Sequence, residues 1–99
     1  MSSKGKKNEH EKKVVALNSE IRRRILLLLR DSKEPLSPRQ MAKDFRVPLS
    51  SLAYHVRVLS ECKMVTLANE QPVRGAVEHF YRYSLDDGWA QKLLEAEPA

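Results

Sequence analysis

Apolar residues recur at helical spacing in the first third of the chain. Asn18 is a good N-cap residue, and a helix is predicted to follow it. Its core-facing residues are Ile21, Ile25, Leu28 and Leu29. Leu26 and Leu27 lie at other angles, so the second half of this helix is apolar almost all round. We therefore expect flanking helices or a second subunit to cover its far side.

A second and a third helix follow, with a sharp turn between them. Ser37 and Gln40 form a capping box around Pro38, which takes the first helical position, where its missing N–H costs nothing. Pro48 disfavours helical backbone angles at the residue before it, so the chain turns there. The third helix is predicted over residues 49–62. The inward positions are Met41, Ala42 and Phe45 in the second helix and Leu49, Leu52, Val56 and Leu59 in the third.

Beyond Lys63 the apolar period changes from 3.6 to about 2, which predicts strands. Short and long strands are expected over residues 64–68 and 76–85, joined by a seven-residue loop over residues 69–75 that contains Pro72 and Gly75. A last helix over residues 87–95 places Trp89 and Leu93 on one side. The order of helix, helix-turn-helix and hairpin predicts a winged helix-turn-helix. This is a mainly α fold with a small β-hairpin, consisting of a three-helix core, a wing and a short C-terminal helix.

The chain of 99 residues divides into three parts. Residues 1–13 hold five lysines and no large apolar side chain, so we expect a disordered basic arm. Residues 14–85 form the winged helix-turn-helix, and residues 86–99 form the short helix with an acidic tail. Residues 1–47 carry 13 Lys and Arg against 6 Asp and Glu, whereas residues 48–99 carry 5 against 7. This asymmetry favours a polyanionic partner such as nucleic acid.

Several classes of protein and site are not supported. The longest apolar run, residues 25–29, has five residues, whereas a membrane span needs about 20. No apolar stretch follows the basic N-terminus as in a secretion signal, and the single Cys62 suits a reducing cytoplasm. Cys62 alone cannot form a thiolate metal site, and His10, His55 and His79 are far apart, so no metal or other cofactor is expected. No catalytic motif is present, and we expect no enzyme activity.

Three segments resemble the ArsR-type family of bacterial winged-helix repressors. Residues 36–45 (LSPRQMAKDF) match its second helix and residues 52–59 (LAYHVRVL) match its recognition helix. Residues 72–82 (PVRGAVEHFYR) look like the wing of actinobacterial-type members. The resemblance covers residues 17–85. It implies a cytoplasmic, nucleoid-associated regulator, expected to be a repressor, that binds double-stranded DNA as a homodimer paired through its first and last helices.

The third helix predicts which side chains would read DNA. Its face opposite Leu52 carries Ser50, Tyr54 and Arg57, with Ser51 and Ala53 beside them. Arg57 can donate to a guanine or a phosphate, and the serines can bind phosphate near the helix start. Arg74 at the hairpin tip is expected at the minor groove, and the arm lysines would add salt-sensitive affinity. Lys43 and Arg46 complete the set of candidate DNA-binding residues.

Other interpretations of the same residues remain open. The polar face of the third helix is also what a solvated amphipathic helix would show, and His55 at its edge is expected to be a half-buried packing residue. At most two of the three arginines Arg22, Arg23 and Arg24 can face a duplex, because they point in different directions. The fold could instead serve as a protein-interaction module, with the tyrosines and Trp89 as contacts. RNA is disfavoured because its deep, narrow major groove excludes a helix.

Two positions depart from the pattern of the ArsR-type family. Arg46 stands where the turn usually has glycine or a small residue, and Lys63 stands where the third helix usually ends in glycine. Both positions favour a positive φ, which strains a residue with a side chain by about 1 kcal/mol. We expect glycine at either position to raise the melting temperature and to weaken DNA binding.

Overall fold

The computed structural model describes residues 8–96 and contains five helices and one two-stranded antiparallel sheet in this part of the chain. The helices are α1 (Glu9–Leu17), α2 (Glu20–Asp31), α3 (Pro38–Phe45), α4 (Leu49–Glu61) and α5 (Gly88–Glu95). The strands are β1 (Val65–Val73) and β2 (Ala76–Tyr83). The predicted winged helix-turn-helix, mainly helical with a small β-hairpin, is confirmed.

Helix α1 overturns part of the predicted disordered arm. The side chain of Asn8 accepts a hydrogen bond from the Glu11 backbone N–H at 2.8 Å, and the Glu11 carboxylate accepts one from the Asn8 N–H at 3.1 Å. This capping box satisfies two of the N–H groups that a helix start leaves unpaired. Burial of Ala16 and Leu17 then anchors the helix to the body. Disorder was thus wrong for residues 9–13, while residues 1–7 lie outside the described part.

Helix α2 begins one residue later than predicted. Its N-cap is Ser19, whose hydroxyl accepts from the Arg22 N–H at 3.3 Å, whereas Asn18 closes α1. Ile25 and Leu26 are fully buried. Helices α1 and α4 and strand β2 all pack against α2. Leu26 is therefore covered within one chain, and the apolar circumference of α2 does not by itself require a second subunit.

Helices α3 and α4 both end with a residue in the left-handed region. Arg46 has φ 60°, and the N–H of Val47 donates to the carbonyl of Ala42 at 3.1 Å. At the end of α4, Lys63 has φ 62°, and the N–H of Met64 donates to Leu59 at 2.9 Å. Both endings have the hydrogen-bond pattern of a Schellman motif, in which glycine is the usual left-handed residue. The positive φ expected at Arg46 and Lys63 is confirmed.

The hairpin is longer and its turn tighter than predicted. Strand β1 runs to Val73, and only Arg74 and Gly75 form the turn, with φ 29° and 79°. The predicted seven-residue loop over residues 69–75 is therefore wrong. Pro72 pairs with Val77 inside the ladder. A two-stranded sheet leaves both strands at an edge, where the missing N–H of a proline is tolerated.

The C-terminal helix packs beside the N-terminal one. Lys13 of α1 donates to Asp87, at the N-cap of α5, over 2.7 Å, and this hydrogen bond raises the pKa of Lys13. Trp89 and Leu93 lie on one side of α5, and this side faces solvent, because the buried residues of the helix are Ala90 and Leu94.

Within residues 8–96, no helix has the length and apolar character needed to cross a membrane.

Candidate nucleic-acid interface

Helix α4 has one buried and one exposed side. Leu52, Val56 and Leu59 are at most 1% exposed and anchor it to the core. The inward position predicted for Leu49 is wrong, because this residue in the first turn is 45% exposed. The predicted DNA-reading residues on the opposite side are all exposed, namely Ser50, Ser51, Ala53, Tyr54 and Arg57. Tyr54 leaves 51% of its surface in contact with solvent. Among the residues that the structure describes, none covers the polar side of α4 from Ser50 to Arg57.

Arg57 and Tyr54 lie together in the middle of this side. The guanidinium carbon of Arg57 is 5.9 Å from the centre of the Tyr54 ring. Within the described residues, no carboxylate is within ion-pair distance of Arg57. Its donors thus remain available for an acceptor outside the chain, such as the edge of a guanine or a phosphate.

Two cations stand where α3 turns into α4. Lys43 lies in the last turn of α3, Arg46 lies in the turn itself, and both side chains are exposed. Arg46 precedes Ser50 by four residues, so its charge lies near the N-terminal end of α4. Backbone N–H groups at a helix start also attract anions. This end of α4 therefore combines cationic side chains with the positive end of a helix dipole.

The hairpin is hydrogen-bonded at two points to the segment that begins α3. Leu36 and Tyr81 form a β-bridge, with N–H to carbonyl distances of 3.0 and 2.8 Å. The hydroxyl of Ser37, which is fully buried, donates to the Glu78 carboxylate at 2.5 Å and accepts from the Gln40 N–H at 3.2 Å. These contacts fix β2 against the start of α3 and so determine where the hairpin tip lies.

Arg74 stands at that tip, in the two-residue turn, and is exposed. Sequence reasoning missed a further cation near it. Arg39, at the start of α3, is exposed. It lines a groove together with Arg57, and it lines a second concavity together with Arg74. It thus lies between the predicted helix and wing residues. No sequence pattern indicates this, because the docking of the hairpin on α3 creates both concavities.

His55 is confirmed as a half-buried packing residue, with an arginine as its partner. Its Nδ1 lies 2.9 Å from Nη1 of Arg22, so Nδ1 accepts. Burial, aided by the positive charge of Arg22, lowers the pKa of His55. Arg22 also donates from Nε to the carbonyl of Ala16 at 2.8 Å. One guanidinium therefore connects the end of α1 to the middle of α4.

The other two arginines of α2 also bind the chain itself. Arg23 donates to the carbonyl of Leu17 at 2.7 Å, and the guanidinium of Arg24 lies 4.5 Å from the centre of the Phe45 ring. The arginine run therefore holds α1 and α3 against α2.

Cys62 is buried beneath α1, with Sγ 3.7 Å from the Lys12 carbonyl oxygen, and burial raises the pKa of its thiol. Within residues 8–96 no group of three or more His, Cys, Asp or Glu could hold a metal ion.

Comparisons with known proteins agree with this architecture. A family model described as a helix-turn-helix domain matches residues 17–68. The structure is similar to that of HlyU from Vibrio cholerae N16961, with a TM-score of 0.63, 22% identity and coverage of 89% of this chain and 86% of that one. Reduced HlyU from the same organism gives the same TM-score and identity, with coverage of 89% and 83%. At this identity the likeness shows a common fold. Sequence comparison with curated proteins finds no match.

Proposed function

We propose that this chain, which belongs to the helix-turn-helix domain family, is a sequence-specific DNA-binding transcriptional regulator of ArsR-like type. In this proposal α4 enters the major groove, the hairpin tip lies at the minor groove, and the protein acts as a repressor. A helix of 13 residues is about 20 Å long, which is enough to cross the major groove of B-DNA, about 12 Å wide.

The open side of α4 is the observation that carries the proposal. A solvated amphipathic helix would also expose its polar residues, but here they stand on the second helix of a helix-turn-helix, beside the exposed cations Lys43 and Arg46. Ser50, Tyr54 and Arg57 face solvent from a helix that Leu52, Val56 and Leu59 anchor in the core. A rigid helix with exposed hydrogen-bonding groups is what reading of base edges requires. Arg57 is the residue we expect to contribute most to base recognition.

The cations around α4 would supply affinity for the phosphate backbone. Lys43 and Arg46 lie beside the start of α4, while Arg39 and Arg74 lie on the side of the hairpin. Ser50 and Ser51 in the first turn of α4 can donate to phosphate oxygens. Contacts of this kind fix the register of the protein on the duplex and make binding sensitive to salt.

An apolar surface on the terminal helices supports a homodimer. The rings of His10 and Trp89 are 4.6 Å apart, which joins α1 to α5 at the surface. Val14 lies one turn after His10, and Leu93 lies one turn after Trp89; they are 42% and 47% exposed. Two-fold dimers commonly associate through exposed apolar patches of this kind. The dimer would read two half-sites centred about 34 Å apart.

Binding to random-sequence duplex DNA across a salt series tests the proposal. If about six phosphates are contacted, affinity should fall roughly 10³-fold between about 50 and 200 mM salt. Arg57→Ala should relax the preference for selected sequences, whereas Arg74→Ala should weaken binding to all sequences more uniformly. Lys33→Ala removes an equal charge from the exposed α2–α3 connection and should change affinity least.

Two outcomes would refute specific parts of the proposal. Absence of salt-dependent binding to any duplex would reject DNA binding and favour the protein-interaction module. Sedimentation at micromolar concentration tests the dimer, with Leu93→Asp as the variant expected to dissociate it. A strict monomer with intact DNA binding would remove the two-fold site, and selection of bound fragments from random DNA would then yield single half-sites.

A further inference from the structure

A groove of about 400 Å³ lies between α4 and the hairpin. Pockets of this volume are in the range that accommodates small organic ligands. Apolar side chains line both walls, namely Leu49, Ala53 and Val56 on α4 and Val73, Val77 and Tyr81 on the hairpin. The α4 wall includes Val56, which is 1% exposed, so the groove reaches the protein core.

The rim of this groove exposes hydrophobic side chains to water. Leu49 is 45% exposed and Val77 is 51% exposed, and each stands on a different wall. An apolar ligand bound between these two side chains would cover both of them, and removing their apolar surface from water favours binding. The core of the fold does not require this exposure, since α4 is already anchored by Leu52 and Leu59.

The charges around the groove select the polar end of such a ligand. Arg39 and Arg57 both border it, and in the described part of the chain neither forms an ion pair. Of the two bordering carboxylates, Glu78 accepts a hydrogen bond from the Ser37 hydroxyl, and Glu61 lies one turn beyond Arg57 towards the end of α4. The unpaired guanidinium groups therefore favour an anionic group on the side of the groove away from Glu61.

We propose that this groove binds a small organic anion with a flat or branched apolar body, such as an aromatic carboxylate. The apolar body would lie between Leu49 and Val77, and the carboxylate would accept hydrogen bonds from Arg39 and Arg57. Guanidinium groups bind carboxylates through paired, charge-assisted hydrogen bonds, which gives a preference for an anion over a neutral analogue of the same shape.

A ligand in this position would act on DNA binding directly, and this step rests on the proposed function. Ala53 and Arg57 belong both to the groove and to the side of α4 that we assign to DNA. An anion held by Arg57 occupies the donors that a base or phosphate needs, and its bulk separates α4 from the duplex. Ligand and DNA are therefore mutually exclusive, which would make the ligand an effector that releases the protein from its operator.

The probe that tests the site is 2-naphthoate, compared with neutral 2-naphthamide and cationic 2-naphthylmethylamine. Amide chemical shifts of the full chain, titrated without DNA, report both the position and the affinity of each probe. We expect shifts at Ala53 and Val77 and a dissociation constant of about 0.1–1 mM for the naphthoate. The amide should bind about tenfold more weakly and the amine more weakly still.

Variants locate the site and its charge preference. Val77→Asp places a carboxylate on the rim and should weaken naphthoate binding about tenfold or more. Leu67→Asp makes the same kind of change at a 42% exposed residue of the same hairpin outside the groove, and should have an effect below about twofold. Arg39→Gln should reduce the preference for naphthoate over naphthamide from about tenfold to about threefold, because Arg57 remains. Shifts confined to Trp89 and Leu93, or equal binding of all three probes, would overturn the site.

Competition with DNA separates this inference from the proposed function. Naphthoate should displace bound duplex from the wild-type protein and fail to displace it from Val77→Asp. If DNA binds but naphthoate neither enters the groove nor displaces the duplex, the effector site is refuted and the DNA-binding function stands. If naphthoate binds at the groove while no duplex binds, the site stands and the proposed function fails.

Discussion

Replacing Arg46 with glycine is expected to stabilise the protein while weakening its binding to DNA. Arg46 ends α3 with φ 60° and ψ 45°, the left-handed conformation that a residue with a Cβ atom adopts at a cost. The N–H groups of Arg46 and Val47 donate to Lys43 at 3.3 Å and Ala42 at 3.1 Å. These bonds use backbone atoms alone, so glycine preserves them while removing the steric strain.

The magnitude follows from two opposing contributions. Left-handed geometry costs a residue with a side chain about 1–2 kcal/mol. Glycine loses more backbone freedom on folding, which opposes the gain by about 0.5–1 kcal/mol. The difference between these ranges is about 0–1.5 kcal/mol, and we take its centre, about 0.5–1 kcal/mol, as the expected net increase in the free energy of unfolding. For a chain of this size such an increase raises the melting temperature by about 2–8 °C.

Thermal unfolding followed by far-ultraviolet circular dichroism measures this change, with Arg46→Ala as the matched control. Alanine removes the same charge but keeps the Cβ atom, so it should not raise the melting temperature. Both variants should weaken DNA binding similarly, because both remove the cation beside the start of α4. The explanation from backbone strain fails if the glycine and alanine variants melt at the same temperature.

Lys63 provides a second test of the same backbone effect. It has φ 62°, and its neighbour Met64 closes the same hydrogen-bonded motif at the other end of α4. Lys63→Gly should therefore raise the melting temperature by a similar amount. Because Lys63 follows the C-terminal end of α4, the structure leads us to restrict the expected loss of DNA affinity to Arg46. A larger loss in Lys63→Gly would show that the duplex contacts that end of the helix.

Two further predictions concern buried polar contacts. Glu78→Ala removes the acceptor of the Ser37 hydroxyl and should lower the free energy of unfolding, measured by urea titration, by about 1–2 kcal/mol. Glu78→Gln retains an acceptor, so its free energy of unfolding should fall less. If the two variants are equally stable, this hydrogen bond does not hold the hairpin. The lowered pKa of His55 predicts a loss of stability as pH falls below about 6.5, because the unfolded chain then takes up a proton that the folded ring resists. The urea midpoint of His55→Gln should fall less than that of the wild type between pH about 7.5 and 5.5; equal falls would exclude His55 as the cause.

Signals confined to a few neighbouring residues predicted the helix-turn-helix well. The capping box at Ser37 and the break at Pro48 placed α3 and the start of α4 correctly, because both act through backbone groups within four residues. The same signal is present at Asn8 and Glu11, ahead of the apolar residues that end α1, so the lysine-rich composition of residues 1–13 does not prevent a helix from beginning at Glu9. In the hairpin, Pro72 suggested a loop because a proline interrupts most strands, but an edge strand has no partner on that side.

What the sequence determined by itself is the helix-turn-helix pattern and the exposed side of α4, since amphipathic periodicity requires only the positions of apolar residues along one helix. Tertiary packing decided the rest. Contacts between elements distant in the chain decided three questions. They determined that Arg22 binds His55, that Leu26 is covered within one chain, and that Arg39 and Arg57 border the same groove. Long side chains such as arginine can reach many partners, and only the docking of the helices and the hairpin determines which of these partners lies within hydrogen-bonding distance.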